Sequence, residues 1–205
     1  MNDTKPSAPI VAAVALFTIR DKLEFLRLEG EQGRIPSLPV EEDETLEACA
    51  RRALWEAAGI EEVFLEQLYT FDGGPGGPRV IVAYYALAPH DRLHIRRAGV
   101  SWADPTPAPI VVEEHRVIVE RACERLAGKL EYAPIAYQFL ADRFTLGELQ
   151  TVYEIIGRQA LDKRNFRRRI RASWDLVETH DARREGPHRP ARLYRLRDAR
   201  PPLEG

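Results

Sequence analysis

The sequence contains few of the residues that build redox, metal and membrane sites. Its two cysteines, Cys49 and Cys123, lie far apart on helix-like segments and form no C-x-x-C motif or metal-ligand spacing. We expect both to be small buried residues in a reducing cytoplasm. No apolar run approaches the roughly 18 residues of a membrane-spanning helix, and the short polar N-terminus lacks the features of a secretion signal. We therefore expect a soluble cytoplasmic protein with no membrane segment, no metal and no other cofactor.

Charge is distributed unevenly along the 205 residues, of which 44% are apolar and can form a sizeable core. Residues 1–132 carry 15 Lys or Arg against 22 Asp or Glu, a net charge of -7, whereas residues 133–205 carry 15 against 10, a net charge of +5. An acidic first part and a basic last third indicate two domains with different partners. We place the domain boundary between residues 132 and 133.

Four segments of the first part have the composition or alternation of strands: residues 10–19, 22–28, 63–71 and 79–87. The run between the last two strands, residues 72–78, contains four glycines and two prolines, which excludes a strand and predicts a loop. Residues 112–130 have helical spacing up to Gly128. The side chains expected to face inward on this helix are Val117, Ala122 or Cys123, and Leu126.

Residues 44–60 are predicted to be helical and resemble the Nudix box, G-x5-E-x7-R-E-U-x-E-E-x-G-U, in which U is aliphatic. The matching residues are Glu44, Arg52, Leu54, Glu56, Gly59 and Ile60. The resemblance implies a Nudix fold in which Glu44 and Arg52 pair with each other and brace the loop-helix-loop. A surface helix rich in Ala, Glu and Arg is the simpler interpretation, but this many matches at the box spacing argue against it.

The carboxylates that would bind divalent metal in this box are largely missing. Of three such positions, two are occupied by Ala53 and Ala57, and only Glu56 remains. Magnesium needs several hard oxygen ligands, which one carboxylate and water seldom provide. We therefore expect a pocket that binds a nucleotide-like ligand without hydrolysing it.

The resemblance also indicates which residues would line that pocket. The two glycines that bring the backbone close to phosphate in the family are replaced here by Ser37 and Leu38. Arg79 follows the glycine- and proline-rich loop, which lies near the ligand in ADP-ribose-handling Nudix proteins. An incidental arginine at a hairpin tip explains Arg79 equally well. The predicted ligand-binding residues are Arg79, Glu56, Arg52 and Ser37.

The last third contains two helical segments with clear ends. Thr145 and Glu148 form a capping-box pattern in front of an apolar stripe, and Gly157 is the predicted end of the first helix. Asp162 is predicted to cap a second helix over residues 163–174. Its inward-facing residues recur every four positions, as Phe166, Ile170 and Trp174.

The outer side of this second helix is cationic, which is typical of a recognition helix in the DNA major groove. Asn165 and Arg168 can make bidentate contacts with adenine and guanine, while neighbouring arginines neutralise phosphate. A hairpin of residues 176–177 and 191–196 with a basic tip would form a wing. The plainer alternative is a solvated arginine-rich face. The predicted DNA-binding residues are Thr145, Lys163, Arg164, Asn165, Arg167, Arg168, Arg171, Arg184, His188 and Arg189.

Both halves together resemble the NrtR family, the Nudix-related transcriptional regulators of NAD metabolism. The F-T-L-x-E-L-Q run of residues 144–150 and the L-D-K-R-N-F-R-R run of residues 161–168 carry this resemblance. It implies an α+β fold, with a Nudix α/β/α sandwich followed by a winged helix-turn-helix domain. It further implies a homodimer on a palindromic double-stranded DNA operator, and a repressor rather than an enzyme. The implied effector is ADP-ribose or a related nucleotide or sugar metabolite.

Two other functions are compatible with the same residues. An ADP-ribose pyrophosphatase could use Glu41, Glu42, Asp43 or Glu47 as substitute metal ligands, although Glu47 lies roughly on the opposite side of the helix from Ala53. Alternatively, the winged helix could contact protein instead of DNA. Salt-sensitive binding to DNA would favour the repressor over this alternative, because phosphate contacts release counterions and protein contacts do not.

Overall fold

A mixed six-stranded sheet forms the centre of the first unit, in a computed structural model that describes residues 8–30, 32–73, 79–183 and 190–197. The strand order is β4-β5-β1-β2-β6, with β3 also paired to β1. β1 and β5 are parallel, and the other pairs are antiparallel. The strands are β1 (Ile10–Ile19), β2 (Leu23–Leu28), β3 (Ser37–Pro39), β4 (Phe64–Asp72), β5 (Val80–Leu87) and β6 (Val100–Ala103).

Two helices cover opposite faces of this sheet. α1 (Leu46–Ala58) packs on the face that contains Ala12, Val14 and Leu16. α2 (Glu113–Lys129) packs on the other face, which alternate residues of β1 also form. β1 is a continuous apolar run because both of its faces are covered. The α/β/α sandwich expected from the sequence is confirmed.

The second unit is a winged helix. It contains α3 (Leu146–Gly157), α4 (Lys163–Ser173) and a three-stranded sheet in the order β7-β9-β8. β7 (Phe144–Thr145) precedes α3, while β8 (Leu176–Arg183) and β9 (Ala191–Leu196) form the antiparallel wing hairpin. The capping box at Thr145 and the Asp162 cap are both present, as expected.

One hydrophobic core joins the two units. Phe17 of β1, Val119 of α2 and Leu149 of α3 belong to the same buried cluster, and so do Phe166 and Ile170 of α4. α2 therefore contacts the sheet on one side and the winged helix on the other. Within the described part of the chain, no helix is long and apolar enough to cross a membrane.

Three details differ from the sequence-based expectations. β3 and β6 are short strands that no alternation indicated, because they are only three and four residues long. The buried side of α2 does not include Val117; since α2 is covered from two directions, its buried stripe is wider and consists of His115, Ile118, Val119, Ala122 and Leu126.

α3 ends at Gly157, as predicted, but the left-handed residue that closes the helix is the next one. Gly157 is its last helical residue, and Arg158 adopts the left-handed conformation, with φ of 52°. The Arg158 backbone N–H donates to the carbonyl of Glu154 and so closes the helix. An arginine thus occupies a position that the sequence pattern assigned to the neighbouring glycine.

His115 is a buried polar residue at the start of α2. It is 8% exposed, and its Nδ1 accepts a hydrogen bond of 3.3 Å from the backbone N–H of Ile35. Desolvation lowers the pKa of His115 from 6.5 to about 4. The imidazole is therefore neutral near pH 7, and it connects α2 to the segment before β3.

We predict that His115→Asn makes the stability less dependent on pH. The folded pKa lies below the unfolded value, so wild-type stability is complete above about pH 6.5 and decreases as the pH falls towards 4. The shift corresponds to a loss of about 3 kcal/mol. The asparagine side chain can accept the same hydrogen bond but does not titrate. Urea unfolding at several pH values between 4 and 8 gives the free energy of unfolding of both proteins. The same dependence of this free energy on pH in both would contradict the prediction.

Candidate functional site

Arg52 is the centre of an ion-pair network on α1. Its Nε and Nη2 each donate to a carboxylate oxygen of Glu44 at 2.9 Å, and Nη2 also donates to the carbonyl of Pro39 at 3.0 Å. Nη1 lies 3.2 Å from Glu41 and 3.3 Å from Glu56. The guanidinium lowers the pKa of Glu44 to about 2. The pairing of Glu44 and Arg52 thus fastens the segment after β3 to the helix.

Glu56 lies on the exposed side of the same helix. Its side chain is 48% exposed and pairs with Arg52, so a metal ion at Glu56 would compete with that guanidinium. Ala53 is 2% exposed and offers no oxygen ligand. In the ranges that the structure describes, no three His, Cys, Asp or Glu side chains are grouped so that they could hold a metal ion.

Ser37 and Arg79 lie on the opposite face of the sheet from Arg52 and Glu56. Ser37 is the register partner of Ala13, whose side chain belongs to the core on the α2 side. Directly opposite residues share a face, so Ser37 points towards that side. Arg79 donates to Glu114 of α2 at 2.5 Å. The four ligand-binding candidates therefore form two pairs on different faces of the sheet.

Glu114 and His115 are two residues that the sequence interpretation missed. Glu114 pairs with Arg79, and the Arg79 carbonyl accepts from the backbone N–H of Gly73 at 2.7 Å. These contacts link the end of the glycine- and proline-rich loop to the first turn of α2. The Glu-Glu pair that opens α2 was a possible signal, because acidic residues are favoured at a helix N-terminus.

A cavity of about 800 Å³ lies at the junction of the two units. Phe64 and Leu87 line it from the sheet of the first unit, Lys129 from α2, Tyr137 from the segment after α2, and Phe144 from β7. None of the four ligand-binding candidates is among the described residues that line it. The cavity is therefore separate from these four candidates, although Gly59 and Ile60 at the end of the Nudix box contribute to its lining.

The cationic face of α4 has the orientation that the sequence predicted. Phe166 and Ile170 are buried against α3 and the core, while Lys163, Arg164, Asn165, Arg167, Arg168 and Arg171 are exposed. Within the described residues, Lys163, Arg164 and Arg167 form no side-chain hydrogen bond or ion pair. Five adjacent cations on one helix face can neutralise several phosphates.

Some of the predicted DNA-binding residues have partners within the protein. Arg168 donates to Oδ1 of Asn165 at 3.0 Å, so the two predicted base-contacting side chains orient each other. Arg171 donates to the Tyr194 hydroxyl at 2.9 Å and thereby contacts the wing, with further N–H groups left over. The Thr145 hydroxyl accepts from the backbone of Glu148 and caps α3. Arg184, His188 and Arg189 lie outside the described residues.

Comparison with known proteins identifies both units. The family described as the NrtR DNA-binding winged helix domain matches residues 136–196. The ADPR responsive transcriptional repressor NtrR of Acinetobacter baylyi is 31% identical over 93% of this chain and 83% of its own length.

Solved structures show the same similarity. The structure of Shewanella oneidensis NrtR complexed with a 27mer DNA superposes with a TM-score of 0.80 at 30% identity, covering 91% of this chain and 93% of that one. The NUDIX domain of the Shewanella protein complexed with ADP ribose matches with a TM-score of 0.50 at 28% identity, over 58% of this chain and 89% of that one. The chain belongs to the NrtR family, with a Nudix-like sandwich followed by a DNA-binding winged helix domain.

Proposed function

We propose that the protein is a cytoplasmic transcriptional repressor that releases its operator when its Nudix-like domain binds ADP-ribose or a related nucleotide or sugar metabolite. The observation that carries this proposal is the single core that joins a cationic recognition helix to a Nudix sandwich. The first domain, residues 1–132, senses the effector, and the second, residues 133–205, binds DNA. Two protomers bind the two halves of a palindromic operator, and the regulated genes belong to NAD metabolism.

The state of the Nudix box supports binding without hydrolysis. The brace between Glu44 and Arg52 is intact, so the shape of the loop and helix is maintained. Ala53 and Ala57 carry no carboxylate, and the carboxylate of Glu56 is paired with Arg52. A diphosphate at this site would lack the cluster of oxygen ligands that positions magnesium and activates water.

α2 is the element that would connect effector binding to DNA binding. Its first turn contacts the proposed effector residue Arg79 through Glu114, and its buried side packs on both the sheet and α3. An anionic ligand at Arg79 would compete with Glu114 for the guanidinium. The ion pair that attaches the first turn of α2 to Arg79 would then weaken. The junction cavity leaves space for the winged helix to change its position. The effector can have this effect only by binding the DNA-free arrangement more tightly.

We predict that Arg79→Gln weakens the effector response but leaves DNA binding intact. ADP-ribose should displace operator DNA from the wild-type protein, and the variant should need at least about ten times more, as expected for the loss of one charged hydrogen-bond donor. Gel-shift titration measures both quantities. Arg116→Gln is the matched control, because Arg116 also pairs with glutamates of α2, Glu113 and Glu120.

Two results of this titration have different meanings. Release of Arg79→Gln at the wild-type ADP-ribose concentration would place the effector away from Arg79. If neither ADP-ribose, NAD nor phosphorylated sugars changed the operator affinity of the wild-type protein, the sensor function itself would be wrong.

We predict no magnesium-dependent hydrolysis of ADP-ribose above background, since only one of the three metal-binding carboxylates of the Nudix box remains. Chromatographic detection of AMP and ribose phosphate after prolonged incubation measures this. Glu56→Gln serves as the control for any residual signal. Hydrolysis by the wild-type protein that this substitution abolishes would favour the pyrophosphatase instead.

We predict different effects for two arginines of α4. Arg168→Ala should relax sequence preference, with a loss of about 1–3 kcal/mol on the preferred sequence, because Asn165 orients Arg168 for a base contact. Arg171→Ala should weaken binding to all sequences and reduce the salt dependence. Fluorescence anisotropy with preferred and scrambled duplexes at several salt concentrations distinguishes the two. Identical behaviour would contradict our placement of the recognition helix, and salt-independent binding would favour a protein partner.

A further inference from the structure

Glu148 connects the wing to the start of the first helix of the helix-turn-helix. Its Oε2 accepts from the backbone N–H of Thr145 at 2.6 Å, which completes the capping box. Its Oε1 accepts from Nη1 of Arg183 at 2.6 Å. Arg183 is the last described residue of β8, at the end of the strand that leads into the basic tip. One carboxylate thus holds both the α3 cap and the tip side of the wing.

Neighbouring contacts strengthen the same connection. Arg183 also donates through Nη2 to the carbonyl of Arg143 at 3.3 Å, and Arg143 pairs with Asp181 of β8. The tip side of β8 is therefore fastened to the chain that leads into α3. β9 is held separately, by the contact of Tyr194 with Arg171 of α4.

The two functions of Glu148 have different chemical requirements. A capping box needs only a side-chain acceptor, and glutamine can replace glutamate there. The ion pair with Arg183 needs the negative charge. The side chains of Glu148 and Arg183 are 36% and 38% exposed, so a DNA phosphate can reach Arg183 and compete with Glu148 for it. Glutamine at this position therefore separates the helix cap from the attachment of the wing.

We propose that Glu148 is a positioning residue of the DNA interface: through Arg183 it holds the wing strand against the start of α3 and limits the binding of Arg183 to phosphate. The carboxylate thereby weakens sequence-independent binding to DNA. It also fixes the position of the wing relative to the recognition helix. This proposal rests on DNA binding by the winged helix but not on the effector response. A wild-type protein that does not bind DNA would contradict the proposed function, whereas a Glu148→Gln variant that binds DNA as the wild type does would contradict only this proposal.

Glu148→Gln tests the proposal on the full-length protein. Two duplexes are used, one selected from a random library by the wild-type protein and one of scrambled sequence. Fluorescence anisotropy over a series of salt concentrations gives affinity and salt slope. Without the competing charge of Glu148, Arg183 binds phosphate more readily, and we expect the slope of log K against log salt to steepen by up to about 0.9 on both duplexes. Scrambled DNA should bind several-fold more tightly, and the ratio of selected to scrambled affinity should fall about tenfold.

Control variants isolate the ion pair. Glu124→Gln removes the same charge from a pair with Arg121 on α2 and should change neither the slope nor the ratio. Arg183→Gln should lower the ratio without steepening the slope, since the wing loses its contact with Glu148 and gains no cation. In the double variant Glu148→Gln with Arg183→Gln, the steeper slope should disappear. The melting temperature of Glu148→Gln should stay within a few degrees of the wild type because the cap is kept, whereas Glu148→Ala should melt lower.

Three outcomes would overturn the proposal. The first is an unchanged slope and ratio in Glu148→Gln. The second is a steeper slope that persists in the double variant, since the effect would then not involve Arg183. The third is an unchanged ratio in Arg183→Gln, which would show that this contact does not position the wing.

Discussion

The structure depends on the apolar face of the sheet that α2 covers. Ala13, Ala15 and Phe17 of β1 form this face with no exposed surface, and α2 packs on it with a stripe wide enough to contact α3 as well. Burial of such side chains contributes roughly 1.5–3 kcal/mol each for the larger ones. Because one core contains side chains of both units, α2 cannot move on the sheet without changing its contact with the winged helix. This shared core physically couples the Nudix-like sandwich to the winged helix.

Arginine has two distinct uses in this molecule. Arg52 and Arg79 are held by carboxylates of the first unit, and Arg171 is held by Tyr194 of the wing. The cations at the start of α4 lie on an exposed face opposite the buried side of the helix. A polyanion binds more readily to cations that have no competing carboxylate, because no ion pair must be broken first. The paired arginines thus maintain the structure, whereas the exposed cations at the start of α4 are available to a polyanion.

Much of the fold could be predicted from local pattern. β1 matches its predicted range, and the caps at Thr145 and Asp162 are where the hydroxyl and carboxylate indicated. Short strands such as β3 could not be predicted, because three residues contain too little alternation. The error at Val117 arose because a helical stripe that contacts two neighbours is wider than one that contacts a single neighbour. The sequence predicted that the two wing strands pair with each other. It did not predict that Arg183 of the wing contacts Glu148 of α3.

The sequence by itself determined the longer elements, the caps at Thr145 and Asp162, the cationic face of α4 and the loss of the box carboxylates, since each depends on residues close together along the chain. Only the tertiary structure decided that Ser37 and Arg79 lie across the sheet from Arg52 and Glu56, and that Glu114 reaches Arg79. It also decided that Arg183 meets Glu148 and that one core spans both units. These are contacts between residues distant along the chain, and strand register and helix packing establish them.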